Sequence, residues 1–116
     1  MFDFEKLNVY KKAEETYTLI LEHILKKRFI NFKLKDQLGR SSSSIVLNIA
    51  EGSGKFSKRD KRNFYLIARG STSESVSTLK LLNLEKTINT AVFDKIYVNL
   101  DEIGKMLTGL IKKMEE

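Results

Sequence analysis

Ser41-Ser42-Ser43-Ser44-Ile45-Val46-Leu47-Asn48-Ile49-Ala50 carries no charge, in a chain where 31% of residues are charged. Leu34, Leu38, Ser42, Ile45 and Ile49 recur at spacings of three and four, which places them on one face of a helix. The four serines could pass for a linker, but the periodicity that flanks them sets them inside that helix. A helix facing water normally keeps a charged outer face. Here the outward side presents Ser43, Ser44, Leu47 and Ala50. The stretch is therefore expected to be covered on both sides, by its own fold and by a second copy of the chain.

Outward from this segment, the spacing predicts a second helix over about 33–51, interrupted in propensity by Gly39, which costs up to ~1 kcal/mol relative to alanine. Gly52-Ser53-Gly54 is expected to end it, glycine accepting the left-handed conformation that closes helices. Before it, Leu7, Tyr10, Ala13, Tyr17, Ile20, Leu21, Ile24 and Leu25 mark a first helix over about 4–27. A connection at 28–31 is expected to fold Phe29, Ile30 and Phe32 back over the end of the fold. After it, Ser57-Lys58-Arg59-Asp60 resembles a capping box that opens a third helix. Its expected inward face is Phe64, Ile67, Ala68, Ser71, Ser75, Leu79 and Leu82, with Leu66 pointing away. Gly70 lies among Ala68, Ser71, Ser73 and Ser75, where small side chains admit another backbone. A turn over 85–90, with Thr90 as cap, leads to a fourth helix burying Phe93, Ile96, Leu100, Ile103, Leu107, Leu110 or Ile111, and Met114. No strand pattern and no repeat is present. The predicted fold is all-α: one domain over residues 1–116, an up-down-up-down antiparallel four-helix bundle.

The 116 residues include no proline, no cysteine and a single histidine, His23. These numbers exclude a disulfide scaffold and thiolate zinc, and leave the serines without a credible base. Carboxylates are scattered without the Glu-x-x-His spacing of a di-iron bundle. No enzyme, metal or cofactor is expected. Gly52-Ser53-Gly54-Lys55 follows a helix rather than a strand and lacks the phosphate-loop spacing. The opening Met1-Phe2-Asp3-Phe4-Glu5 has no signal-peptide character, and no apolar run approaches the roughly 20 residues of a membrane span. The cytoplasm is the expected location, without membrane contact.

The formal charge is +6, and its distribution is uneven. Residues 26–62 hold eleven Lys or Arg against three acids, a net +8; the remaining ten basic and twelve acidic residues give −2. A polyanionic partner and a solvated basic surface both account for this excess, and its concentration points to RNA or DNA. Lys55, Lys58, Arg59, Lys61 and Arg62, with Arg40, are the candidate nucleic-acid contacts, and Phe56 lies in the same loop, where it either stacks on a base or packs the end of the bundle. The second helix spans on the order of 25 Å, so this cluster and the Lys26–Lys35 cluster occupy opposite ends. No recognition helix for reading DNA sequence is evident. Ser43, Ser44, Leu47, Ala50, Leu66 and Ser73 are the candidate subunit interface. Asn48, Glu51, Arg69 and Glu74 are candidates for a polar network across a helix or subunit interface, with Glu51 or Glu74 pairing Arg69.

Two segments, Ser44-Ile45-Val46-Leu47-Asn48-Ile49-Ala50-Glu51-Gly52-Ser53-Gly54-Lys55 and Phe64-Tyr65-Leu66-Ile67-Ala68-Arg69-Gly70-Ser71-Thr72-Ser73-Glu74, resemble the bacterial four-helix-bundle family named for proteins encoded in intervening sequences of 23S ribosomal RNA genes. The opening from Asp3 to Ala13 fits as well, and the last helix agrees only in general character. Tyr10 stands where the family commonly has tryptophan. Gly39-Arg40-Ser41-Ser42 replaces a more arginine- and alanine-rich stretch, which weakens the case for nucleic acid on that face. The resemblance implies a ring, typically a pentamer, and no established activity. Related accessory variability proteins of diversity-generating retroelements associate with a reverse transcriptase and nucleic acid. The expected function is thus a non-enzymatic homo-oligomer that binds RNA or DNA non-specifically, as an accessory to a nucleic-acid-handling enzyme. The alternative is a protein-interaction or scaffold module whose basic loops only solubilise it.

Overall fold

The computed structural model describes residues 1–116. Four helices form the chain: α1 (Asn8–Ile20), α2 (Phe32–Ser53), α3 (Lys58–Leu84) and α4 (Thr90–Met114). There is no strand. Each helix packs on two neighbours, α1 on α2 and α4, and α3 on α2 and α4. Between them lie Ile20, Ile24, Leu38, Ile45, Ile49, Leu79, Leu82, Ile96, Leu100, Ile103 and Leu107, all essentially without solvent contact. Burying each such side chain contributes about 1.5–3 kcal/mol, so this column is the main source of stability.

The first helix is shorter than its periodicity predicts. Leu7 is extended and separates α1 from a 3-10 turn over Asp3–Lys6. That break lets the Phe4 ring meet Tyr10 edge-on, with centroids 4.8 Å apart. At the other end α1 passes into a π turn, Leu21–Leu25. The buried positions are Val9, Ala13, Thr16, Ile20 and Ile24, so Leu7, Tyr10, Tyr17, Leu21 and Leu25 lie at the margin of the core rather than in it. Lys12 ties α1 to α4 through Glu102 at 3.2 Å. That hydrogen bond holds the ammonium pKa above its ordinary value, against a smaller lowering by burial.

The connection into α2 corrects one expectation. Only Ile30 turns inward; Phe29 and Phe32 are 73% and 80% exposed. Asn31 caps α2 by accepting from the Leu34 N–H at 3.2 Å. Helix α2 then follows the predicted face, with Leu38, Ser41, Ser42, Ile45 and Ile49 buried. The serines fit because they are small and their hydroxyls are satisfied locally. Ser42 donates to the Leu38 carbonyl at 2.6 Å, and Ser41 meets Ser75 of α3 at 2.8 Å.

Gly54 closes α2 with φ −80°, so the predicted left-handed closure does not form. The glycine that matters is Gly52. A Cβ there would lie 2.9 Å from the Tyr65 ring and 3.0 Å from Phe64 Cβ. Ser57 caps α3 as expected, accepting from the Asp60 N–H at 3.1 Å.

The inward face of α3 is rotated from the predicted one. Tyr65, Ala68, Thr72, Ser75, Thr78, Leu79 and Leu82 are buried, whereas Phe64 and Ser71 are half-buried and Ile67 is exposed. Tyr65 fills the space left by Gly52, and its burial pushes the phenol pKa up. Lys86, at φ 58°, makes the left-handed turn after α3. Asn89, rather than Thr90, caps α4, accepting from the Ala91 N–H at 2.8 Å.

One polar group was not foreseen. Asn99 on α4 is 1% exposed, and neither its Oδ1 nor its Nδ2 has a hydrogen-bond partner. A buried, unpaired amide costs on the order of 1–3 kcal/mol. Asn99→Leu is therefore expected to raise the urea midpoint, by on the order of 1 kcal/mol of stability. A lower midpoint would show that the amide is satisfied in solution.

Candidate nucleic-acid interface and subunit face

The α2–α3 loop gathers the predicted cations and gives most of them a fixed partner. Lys61 donates to the Ser53 carbonyl at 2.8 Å, and Lys58 to the Glu116 carbonyl at 3.2 Å. Arg62 donates from Nε and Nη2 to Glu115 Oε1 at 3.1 and 3.0 Å. Lys55 lies 3.8 Å from Glu51 and 5.1 Å from the centroid of Phe64. Arg59 is exposed with no ion-pair partner. The bond to the Ser53 carbonyl leaves the Lys61 charge unneutralised, so Lys61 and Arg59 present net positive charge at this end of the molecule. Phe56 is fully exposed at the centre of this loop. Arg40 does not join the cluster. It pairs with Asp36 at 3.0 Å, about 20 Å along α2 from Lys55 at 1.5 Å per residue.

The predicted subunit face separates into two parts. On α2, Leu47 is 65% exposed, with Ser43 and Ala50 half-buried on either side of it. Ser44 leans towards α3, where its hydroxyl meets Ser71 at 2.8 Å. One turn along α2 and one turn back along α3, that register brings Asn48 level with Ile67, which is 50% exposed. Leu66 and Ser73 lie on the other side of α3, with Ser73 lining the groove shared with Asp101, Gly104 and Lys105 of α4. Ile67 is thus the residue the sequence reading missed, having been assigned to the core. Gly70 follows it on the exposed surface, and nothing in the subunit lies within 4 Å of where its Cβ would be.

The polar network forms only in part. Asn48 donates to the Ser44 carbonyl at 2.8 Å and to its hydroxyl at 3.0 Å, which links it to Ser71. Glu51 pairs with Lys55, not with Arg69. Arg69 and Glu74 are exposed and make no ion pair within the subunit. Arg69 sits on the α4 side of α3, lining the groove with Thr72, Gly104 and Thr108, so the helix carries it away from Glu51. No three His, Cys, Asp or Glu side chains converge. No helix is long and apolar enough to cross a membrane.

Comparison with known proteins matches this arrangement to one family. Residues 5–109 match the family model described as 23S rRNA-intervening sequence protein, a span that reaches well into α4, beyond the quoted motifs. The chain is also similar to the crystal structure of a protein of unknown function from the S23 ribosomal protein family of Bacteroides thetaiotaomicron. That likeness has 29% identity and a TM-score of 0.84, over 90% of this chain and 95% of the other. No curated protein matches the sequence. With its four helices and the match over nearly its whole length, the chain belongs to the 23S rRNA-intervening sequence protein family.

Proposed function

We propose that this chain is a non-enzymatic antiparallel four-helix bundle that assembles into a ring of identical subunits and binds RNA or DNA non-specifically through its basic loops. The up-down-up-down topology is supported by contacts joining opposite ends of consecutive helices. Asn31 before α2 bonds Glu85 after α3, and Arg62 near the start of α3 bonds Glu115 after α4. The observation that carries the assembly is the uncharged outer flank of α2, where Leu47 stands in solvent, with Ile67 exposed on the neighbouring helix α3. Exposed apolar groups arranged contiguously mark an interaction surface. Five subunits is the number that the family resemblance implies. A cytoplasmic location, and service to a nucleic-acid-handling enzyme, complete this reading.

The nucleic-acid arm rests on the +8 charge of residues 26–62 and on the cations held around Phe56. Phosphate contacts by lysine and arginine are independent of sequence and weaken steeply with salt, with a slope of about −0.7 per phosphate for single strands. Fluorescence anisotropy with single-stranded RNA and DNA at increasing salt tests it. Arg59→Gln/Lys61→Gln is expected to weaken binding to all sequences and to flatten the logarithmic salt slope by about 1.4. Absence of binding at low salt overturns the nucleic-acid reading, and salt-insensitive capture of a protein partner would support the scaffold alternative.

A further inference from the structure

The opposite end of the molecule carries two exposed aromatic rings that have no role in the proposed function. The α1–α2 connection runs Lys26-Lys27-Arg28-Phe29-Ile30-Asn31-Phe32-Lys33, followed by Lys35 at the start of α2. Its two phenylalanines stand in water, although the residue between them on the inner side, Ile30, is only 3% exposed. The backbone that holds them is pinned. Ile30 anchors it in the core, Asn31 caps α2 and donates to Glu85 Oε2 at 3.1 Å, and the Lys35 ammonium donates to the Lys27 carbonyl. Phe29 and Phe32 therefore stay outward because the loop is fixed, not because it is loose.

The charge around them is positive in excess, although Glu85 lies on Asn31 and Asp36, paired with Arg40, shares a groove with Phe32. Lys27, Arg28 and Lys33 have no ion-pair partner, while Lys26 is paired with Glu22. Large apolar rings in water are costly unless a partner covers them. A partner that fits must bring flat apolar faces and negative charge together. Single-stranded nucleic acid does so, because its unpaired bases stack on aromatic rings while its phosphates meet lysine and arginine. A duplex conceals those base faces.

We infer that the Phe29–Phe32 loop is a stacking site for unpaired bases of single-stranded nucleic acid, with Lys27, Arg28 and Lys33 holding the flanking phosphates. This inference rests on the nucleic-acid reading above and adds a second contact surface, at the end remote from the Lys55–Arg62 cluster. It also makes single strands the preferred ligand over duplexes.

The chain contains no tryptophan, so Phe32→Trp introduces a single reporter. Oligodeoxyadenylate is expected to quench its fluorescence, and an abasic oligonucleotide of equal length is not. Phe29→Ala/Phe32→Ala, changing only exposed residues, is expected to bind oligodeoxyadenylate at least ~10-fold more weakly, with an unchanged salt slope and unchanged far-ultraviolet circular dichroism. If the parent protein binds the strand and the double alanine variant binds it equally well, the stacking site is refuted while the wider reading stands. If the parent protein binds no strand at low salt, both fail together. A response of the Phe32→Trp reporter to phosphatidylserine vesicles and none to oligonucleotide also overturns the inference, assigning the loop to a lipid surface.

Discussion

Leu47→Glu/Ile67→Glu is expected to yield a folded monomer. Leu47 is 65% and Ile67 50% exposed in the subunit and neither belongs to its core column, and surface changes of this kind usually alter stability by no more than about 0.5 kcal/mol. Between subunits the effect is different. Each buried leucine or isoleucine contributes about 1.5–3 kcal/mol, and a carboxylate placed there must be stripped of water with no opposite charge to meet it. In a ring every interface carries the same defect, so the losses repeat around it. Sedimentation velocity is expected to show the monomer mass, with helical content retained by circular dichroism. A variant that sediments like its parent would place the interface elsewhere on the molecule.

Gly52→Val is expected to cost more stability than any other single glycine change in the chain. The Cβ of even an alanine would sit 2.9 Å from the Tyr65 ring and 3.0 Å from Phe64 Cβ. Phe64 Cβ is fixed to the α3 backbone, and the Tyr65 ring is buried, so neither can give way cheaply. Overpacking of this kind costs about 1–3 kcal/mol for alanine, and the branched valine is expected at roughly 3 kcal/mol or above. Gly70→Ala runs the other way. Its Cβ meets nothing in the subunit, so helix propensity alone is expected to add about 0.5–1 kcal/mol to the protomer. Urea unfolding of the two variants should therefore bracket the parent. A Gly52→Ala midpoint at or above the parent's would remove the close α2–α3 approach from the account.

The predicted faces differ in accuracy because the sequence contrast differs. In α2 and α4 the apolar inward positions, Leu38, Ile45 and Ile49 and Ile96, Leu100, Ile103 and Leu107, match the periodicity, while the buried Ser41 and Asn99 fall outside it. In α3 the run Ser71-Thr72-Ser73-Glu74-Ser75-Val76-Ser77-Thr78 offers little hydrophobic contrast. Its rotation is set instead by Tyr65 entering the space beside Gly52, a contact between helices that local periodicity does not encode. That small rotation places Ile67 at the surface rather than in the expected core.

Phe29 and Phe32 depart from the expected packing for a related reason. Apolar residues fill interiors, but not every apolar residue is needed there: the six-residue connection from Lys26 to Asn31 has one inward position, taken by Ile30, and Phe32 opens α2 on its exposed side. The alternation of cations and phenylalanines in that loop was the available signal. The basic excess of residues 26–62 was legible as a sum, whereas its partners were not. Arg62 meets Glu115 at the far end of the sequence, and Arg69 is carried by its helix to the side away from Glu51. Asn99 left no signal at all, sitting at a core position of an otherwise regular apolar face.

The uncharged flank of α2 makes the molar mass of the unmodified protein the decisive quantity. Multi-angle light scattering at micromolar concentration is expected to return a multiple of the 13.4 kDa subunit, five subunits being the predicted ring. A well-folded species of 13.4 kDa, with Leu47 and Ile67 left in water, would contradict the account.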